Sequence, residues 1–199
     1  MDPLWAELIN SDWHDYRGGG GREDRIENPK WLSGFLMRCG VASRPLPGPT
    51  GREALRRLRA VLRRSATALM AGKVPGRRDL AAINGCLDDA PLTRRVAADG
   101  RAFAVKLVPR TGGIARVLGE VTGSFAQLLA TGDPARIKVC ANRDCGWIVY
   151  DQSRNRTRRW CESTGCGNLM KVRRYRQRHR RTRRRGRSRR RAGPTRCSS

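Results

Sequence analysis

The sequence predicts an α+β fold: a mostly helical amino-terminal domain with a small β-hairpin, then a small cysteine-bearing module and a disordered arginine-rich tail. Three observations predict it. Apolar residues recur every three and four positions through several segments before residue 135, with one run that reads instead as a strand. Four of the seven cysteines fall between residues 140 and 166. Charge steps up at the same place: residues 1–139 carry 23 basic and 14 acidic side chains, residues 140–199 carry 20 and 3. The boundaries that follow are 1–135, 136–180 and 181–199, and the first segment is expected to fold alone.

Near the amino terminus Leu4, Trp5, Leu8, Ile9 and Trp13 are spaced as on a helix, although a strand and turn also fit. Gly18 to Gly21 reads as a loop. Asn28 before Pro29 is a helix start, and Trp31, Leu32, Phe35 and Leu36 share a face up to Gly40. Pro45 to Pro49 is a connection. Thr50 and Glu53 fit a capping box, opening a helix whose core face is Leu55, Leu58, Leu62, Ala66 and Leu69. Arg56, Arg59 and Arg63 lie on another face and are expected to be solvated. A shorter helix runs from Asp79 to Leu87. Phe103 to Val108 is a strand halted by Pro109, with Pro91 to Val96 as its hairpin partner. Ile114, Val117, Leu118, Val121, Phe125, Leu128 and Leu129 trace one face of a long helix ending near Thr131.

Cys39 and Cys86 sit at apolar helix positions and read as buried small hydrophobes. His14 has no second histidine nearby and reads as a surface or partly packed residue. This region holds no Gly-rich phosphate loop, catalytic triad or carboxylate pair. No enzyme activity is expected, and no catalytic residue is assigned.

Cys140-x4-Cys145, a fifteen-residue connector and Cys161-x4-Cys166 supply the paired thiolates of a tetrahedral four-cysteine zinc site. Disulfides are the alternative. They need an oxidising compartment, and the acidic amino terminus lacks the apolar run of an export signal. Four thiolates fill the metal shell and leave no position for water, so one structural zinc ion is expected on Cys140, Cys145, Cys161 and Cys166. Trp147 to Asp151 reads as a strand, Gln152 to Arg156 as a turn, and Thr157 to Trp160 as the return. Gly146, Gly165 and Gly167 allow close turns around the metal. A helix then follows, with Leu169, Val172 and Tyr175 packed on the metal core and Lys171, Arg174 and Arg178 turned outward. This is a treble-clef-like finger, around which Trp147, Tyr150 and Trp160 are expected to pack.

A formal charge of +26 and a pI near 11.6 argue for a polyanionic partner, nucleic acid or an anionic membrane. Arginine outnumbers lysine 38 to 5, a bias that GC-rich coding also produces, so where the charge sits matters more than its sum. From Arg173 to Arg191, thirteen of nineteen residues are arginine. So self-repelling a segment, with almost no apolar residues, is expected to be disordered beyond residue 180 when free and to clamp phosphates without reading sequence. No apolar run approaches the ~18 residues that span a bilayer, and no membrane partner is expected. Cys197 lies outside the four-cysteine set and has no assigned role.

Trp160-Cys161-x4-Cys166-Gly167-Asn168, with the upstream cysteine pair and the following Lys171-Val172, resembles the CGNR zinc finger. In that family the finger closes a chain whose amino-terminal part is the ABATE domain. Leu8-Ile9-Asn10, the helix from Asn28 to Phe35, the strand at Phe103 and the long helix before Cys140 are similar to that domain. Members are described as stress-induced bacterial transcription regulators. The resemblance therefore implies a zinc-dependent DNA-binding regulator of the cytoplasm, associated with the nucleoid. Leu169 stands where the family motif has Arg, a departure that bears on recognition and leaves the zinc ligands intact.

In this reading the finger and tail engage DNA through Arg154, Arg156, Arg158, Arg159, Lys171, Arg174 and Arg178, while the amino-terminal domain senses a small-molecule effector or a protein partner. The alternative is an RNA-binding or ribosome-associated zinc protein, because small zinc modules with arginine-rich tails also bind structured RNA. An enzyme anchored by the finger is the third reading.

Overall fold

A computed structural model describes residues 2–42 and 44–191, with side chains through residue 180. Helix α1 (Leu4–Ile9) buries Trp5, Ala6, Leu8 and Ile9. The chain then turns into a short hairpin, β1 (Asp12–His14) with β2 (Arg22–Asp24), so the first apolar segment is a helix followed by a strand. Its loop closes on the Asp15 carboxylate, which accepts from the backbone N–H of Arg17 and of Gly19, both at 2.9 Å. His14 is half-buried and lies 3.4 Å from Asp12.

Helix α2 (Pro29–Arg38) starts as its sequence predicts: Pro29 needs no N–H donor there, and Asn28 Oδ1 accepts from the backbone of Lys30 and Trp31 at 3.1 and 3.2 Å. Helix α3 (Pro49–Met70) starts one residue before Thr50, with Gly48 as a cap that makes no side-chain bond. The expected capping box does not form. Proline's fixed φ suits the first helical position, which moves Thr50 inside the first turn, and Glu53 instead pairs with Arg57 at 3.1 Å. Helix α4 (Arg77–Asp88) leads into the ribbon β3 (Leu92–Asp99) and β4 (Ala102–Pro109), then helix α5 (Gly113–Thr131). The ribbon register runs unbroken from Leu92 opposite Pro109 to Asp99 opposite Ala102.

One core joins these helices. Leu32, Phe35 and Leu36 of α2 meet Leu55, Leu58, Leu62 and Ala66 of α3 and Val117, Val121, Phe125 and Leu128 of α5. The Trp5 ring meets Phe125 edge-on at 5.5 Å. Each large side chain so buried is worth ~1.5–3 kcal/mol, so the apolar face holds α3 in place more than helix propensity does. Cys39 is buried in this core and its thiol is pushed up to about 12, chiefly by burial, whereas Cys86 is half-buried.

The arginines of α3 correct the expectation of a solvated face. Arg59 donates to Asp24 at 2.6 Å and to the Ser11 hydroxyl at 2.9 Å, and Arg56 donates to Asp24 at 2.8 Å and also pairs with Glu27. Arg63 donates to the Ile9 carbonyl at 3.0 Å. Burial works to raise the Asp24 pKa, but the hydrogen bonds from Arg59 and Arg56 outweigh it and leave the carboxyl below its ordinary value. Helical periodicity separates an apolar face from a polar one. It does not reveal acids waiting on a distant segment.

After α5 the chain forms a third hairpin, β5 (Ile137–Val139) with β6 (Ile148–Tyr150). Ile137 and Ile148 are 4% and 2% exposed and belong to the same core as α1, α3 and α5. A division at residue 135 therefore passes through shared packing. Helix α6 (Asn168–Arg191) ends the described chain. Its backbone continues helical to Arg191, into the segment read as disordered when free. Arginine is a good helix former, and extending a nucleated helix costs little per residue. Residues 192–199, with Cys197, lie outside the described residues.

Candidate metal centre and the basic surface around it

Cys140 follows the end of β5 and Cys145 precedes β6, with Gly146, in the left-handed region at φ +65°, turning the chain from Cys145 into β6. Cys140 N–H donates to the Trp147 carbonyl at 2.8 Å, closing the knuckle. Cys166 lies within the single turn Ser163–Gly167 that leads into α6. The four sulfur atoms of Cys140, Cys145, Cys161 and Cys166 all lie within 4.8 Å of one another, and none is in a disulfide. Cys145 Sγ and Cys161 Sγ are 3.7 Å apart. Four ~2.3 Å Zn–S bonds in a tetrahedron place sulfurs about 3.8 Å apart, so the donor set fits one zinc ion.

Backbone and side-chain donors point at the sulfurs. Asn142 Nδ2 donates to Cys166 Sγ at 3.4 Å and Cys161 N–H to Cys140 Sγ at 3.5 Å, contacts that favour thiolates and orient them. Without a cation the packed thiols cannot all ionise: burial, first among its causes, pushes Cys166 up to about 12. A hydrogen bond from Cys161 draws Cys145 down to about 6. A dication resolves that conflict. With four sulfur ligands its role is structural.

Gly167 packs tightly against its neighbours. A Cβ there would come within 3.2 Å of the Trp160 ring and 3.4 Å of the Glu162 carbonyl. Trp147, Trp160 and Tyr16 pack on the sulfur cluster. Tyr150 departs from expectation: it packs against the main core 6.5 Å from Trp5, and its hydroxyl accepts from Asp133 N–H at 3.2 Å.

Two further expectations are corrected. Thr157 to Trp160 is not a strand, because both edges of β6 are taken: β5 pairs on one side and the Asn10 side chain bonds Ile148 on the other. The returning segment is held instead by Lys138, whose Nζ donates to Asp151 at 2.6 Å and to the Arg156 carbonyl, and by Ala141 N–H to the Arg159 carbonyl at 2.8 Å. Nor is the stripe of α6 buried. Leu169 is half-buried, but Val172 is 37% and Tyr175 62% exposed, since Tyr16 and the two tryptophans already cover the sulfurs. The helix is tied down by Arg173, which donates to Asp144 at 2.8 Å and to the Arg17 carbonyl at 2.7 Å.

The seven basic residues singled out from the sequence divide. Arg158 belongs to the scaffold: it pairs with Asp2 at 2.6 Å and donates to the carbonyls of Tyr150, Trp160 and Cys161. Arg156 pairs with Asp133 at 2.9 Å, and the Arg159 guanidinium lies 5.4 Å from the Trp160 ring centre. Arg154, Lys171, Arg174 and Arg178 are exposed, the last three along α6 at helical spacing. Sequence reasoning missed Asn10, Asn142 and Lys138. Asn142 alone carried a signal, as a polar residue inside the knuckle.

No helix among the described residues is long and apolar enough to cross a membrane. No curated protein matches the chain. Residues 136–179 match the CGNR zinc finger family model, over the segment in which the four cysteines converge. Residues 2–132, well over half of the chain, match the ABATE family model, described as "Putative stress-induced transcription regulator". The chain thus belongs to the ABATE family and carries the CGNR zinc finger with its four-cysteine metal site.

Proposed function

We propose that this protein is a zinc-dependent DNA-binding transcription regulator of the nucleoid, whose finger and α6 lie on DNA while the helical domain receives a small-molecule signal or a partner. The observation that supports it is the surface of α6. Lys171, Arg174, Arg176, Arg178 and Arg180 are exposed on a helix rooted in the metal knuckle, and residues 168–191 contain no acidic residue. Cations at fixed helical spacing meet phosphates in register and release counterions, and the metal keeps that array at a constant angle to Arg154 and Arg159. The family description, a transcription regulator, points the same way.

One observation favours the RNA reading. The exposed Tyr175 ring sits 3.9 Å from the His179 ring, an aromatic surface on which an unpaired base can stack. Fluorescence anisotropy of the zinc-loaded chain with duplex DNA, duplex RNA and single strands of one sequence separates the two. Duplex DNA is expected to bind tightest. A preference for single-stranded or structured RNA at every salt concentration would overturn the assignment.

A further inference from the structure

We infer that the β3–β4 ribbon is a dimer interface, packed face to face on the ribbon of a second copy of this chain. Residues opposite one another in an antiparallel pair project to the same side. The register therefore puts Leu92, Arg94, Val96 and Ala98 on one face with Phe103, Val105, Leu107 and Pro109, and Arg94 is the single charge on that face. Five of these are large and more than half exposed: Leu92 53%, Val96 72%, Phe103 80%, Val105 66% and Leu107 61%. The other face carries Thr93, Arg95, Asp99 and Lys106 among alanines and the less exposed Val108. A lone two-stranded ribbon is marginal in water, and an exposed, mostly apolar face of several hundred Å², across which Arg94 can lay its aliphatic stem with the guanidinium at the rim, marks an interaction site. Each strand of this two-stranded sheet has a free edge, and β4 is poorly guarded, with Lys106 its single charge.

The occupant follows from what lies at the two ends of this face. At its base the face runs into a groove of about 310 Å³ lined by Leu4, Leu87, Leu92 and Pro109, with Gly123 and the Arg116–Glu120 pair on its wall. Gly123 leaves it open: a Cβ built there meets nothing within 4 Å. At the tip stands Phe103, ~20 Å away across six residue steps. The face thus carries a knob at one end and a hole at the other. A half-turn about an axis near Val96 and Val105 seats each Phe103 over the groove of the other copy, the self-complementarity that an isologous two-fold contact requires. Five side chains of this size expose on the order of 500 Å² per copy, so the pair reaches the ~1,000 Å² that a biological interface should clear. The inference stands apart from the nucleic-acid reading, which uses α6.

Light scattering on the zinc-loaded full chain tests it. Wild type is expected at twice the chain mass of 22.3 kDa at micromolar concentration. Phe103→Glu, at an exposed position, and Gly123→Met, which fills the groove and improves helix propensity, are each expected to halve that mass with helical content and zinc content unchanged. A wild-type chain that stays at single-chain mass, or a dimer that survives both substitutions, would overturn the proposal.

Discussion

Asn10 and Ile148 exchange two hydrogen bonds across 138 residues of chain: Asn10 Nδ2 donates to the Ile148 carbonyl at 2.7 Å, and Ile148 N–H donates to Asn10 Oδ1 at 2.9 Å. The asparagine side chain stands in for a neighbouring strand along the outer edge of β6, and at 6% exposure no water replaces it. Asn10→Leu leaves two buried backbone groups without partners, at an expected cost of ~2–4 kcal/mol. Urea unfolding reads this as a lower midpoint at unchanged slope. An unchanged midpoint would show that the edge is satisfied by other means.

The same joint bears on whether the finger is separable. Ile137 and Ile148 lie in the core built by α1, α3 and α5, and each contributes ~1.5–3 kcal/mol on burial. A fragment ending at residue 135 is therefore expected to be less stable than the full chain by ~3–6 kcal/mol. Removing the metal with a chelator should lower the unfolding midpoint of the whole chain in one transition, because metal binding is folding free energy. A calorimetric trace in which chelation leaves the main transition in place would favour two independent units.

Asp24 gathers two arginines of α3 onto the β1–β2 segment. Asp24→Asn keeps the shape and removes the charge that Arg56 and Arg59 share. Charged hydrogen bonds at a partly exposed site, discounted for solvent screening, make the expected loss ~1–2 kcal/mol. Thermal unfolding measures it. A double substitution that also removes Arg59 should lose less than the sum of the two single losses.

These examples show what was legible in the sequence. Local signals read well: Asn28 before Pro29 caps α2, the leucines of α3 are its core face, and four cysteines at paired spacing converge within 4.8 Å. What failed were statements about where polar side chains reach. Arg56 and Arg59 look like solvated cations because their partners Asp24 and Glu27 are 29 to 35 residues away. The return strand failed because a side chain, Asn10, occupies the edge that a strand would have used. The stripe on α6 failed because aromatics from before and between the cysteines cover the metal first.

Asp151 is fully buried, and its Oδ2 accepts from Lys138 Nζ at 2.6 Å. Burial works to raise its pKa, yet the hydrogen bonds from Lys138 and Ser153 outweigh it and hold the carboxyl well below the usual carboxylate range. A carboxyl depressed on folding stabilises the protein above its unfolded pKa of ~3.9 and loses that contribution as pH falls through the lower folded value. Lys138→Met removes the cation, so acid unfolding followed by circular dichroism is expected to begin at higher pH. An unshifted acid transition would mean that Ser153 and the backbone suffice to hold the carboxylate.

In the proposed function, cations fixed by the metal scaffold, rather than the arginine tail alone, read DNA. The most direct measurement is a salt titration of binding to a selected duplex and a scrambled one, for wild type, Arg174→Ala and a chain lacking residues 181–199. Deleting the tail is expected to weaken both duplexes alike and to flatten the salt slope. Arg174→Ala is expected to narrow the gap between the duplexes, by about 1–3 kcal/mol if the guanidinium holds a guanine through two hydrogen bonds. If the tail deletion abolishes discrimination and Arg174→Ala leaves it intact, the finger is a structural stub and does not read DNA.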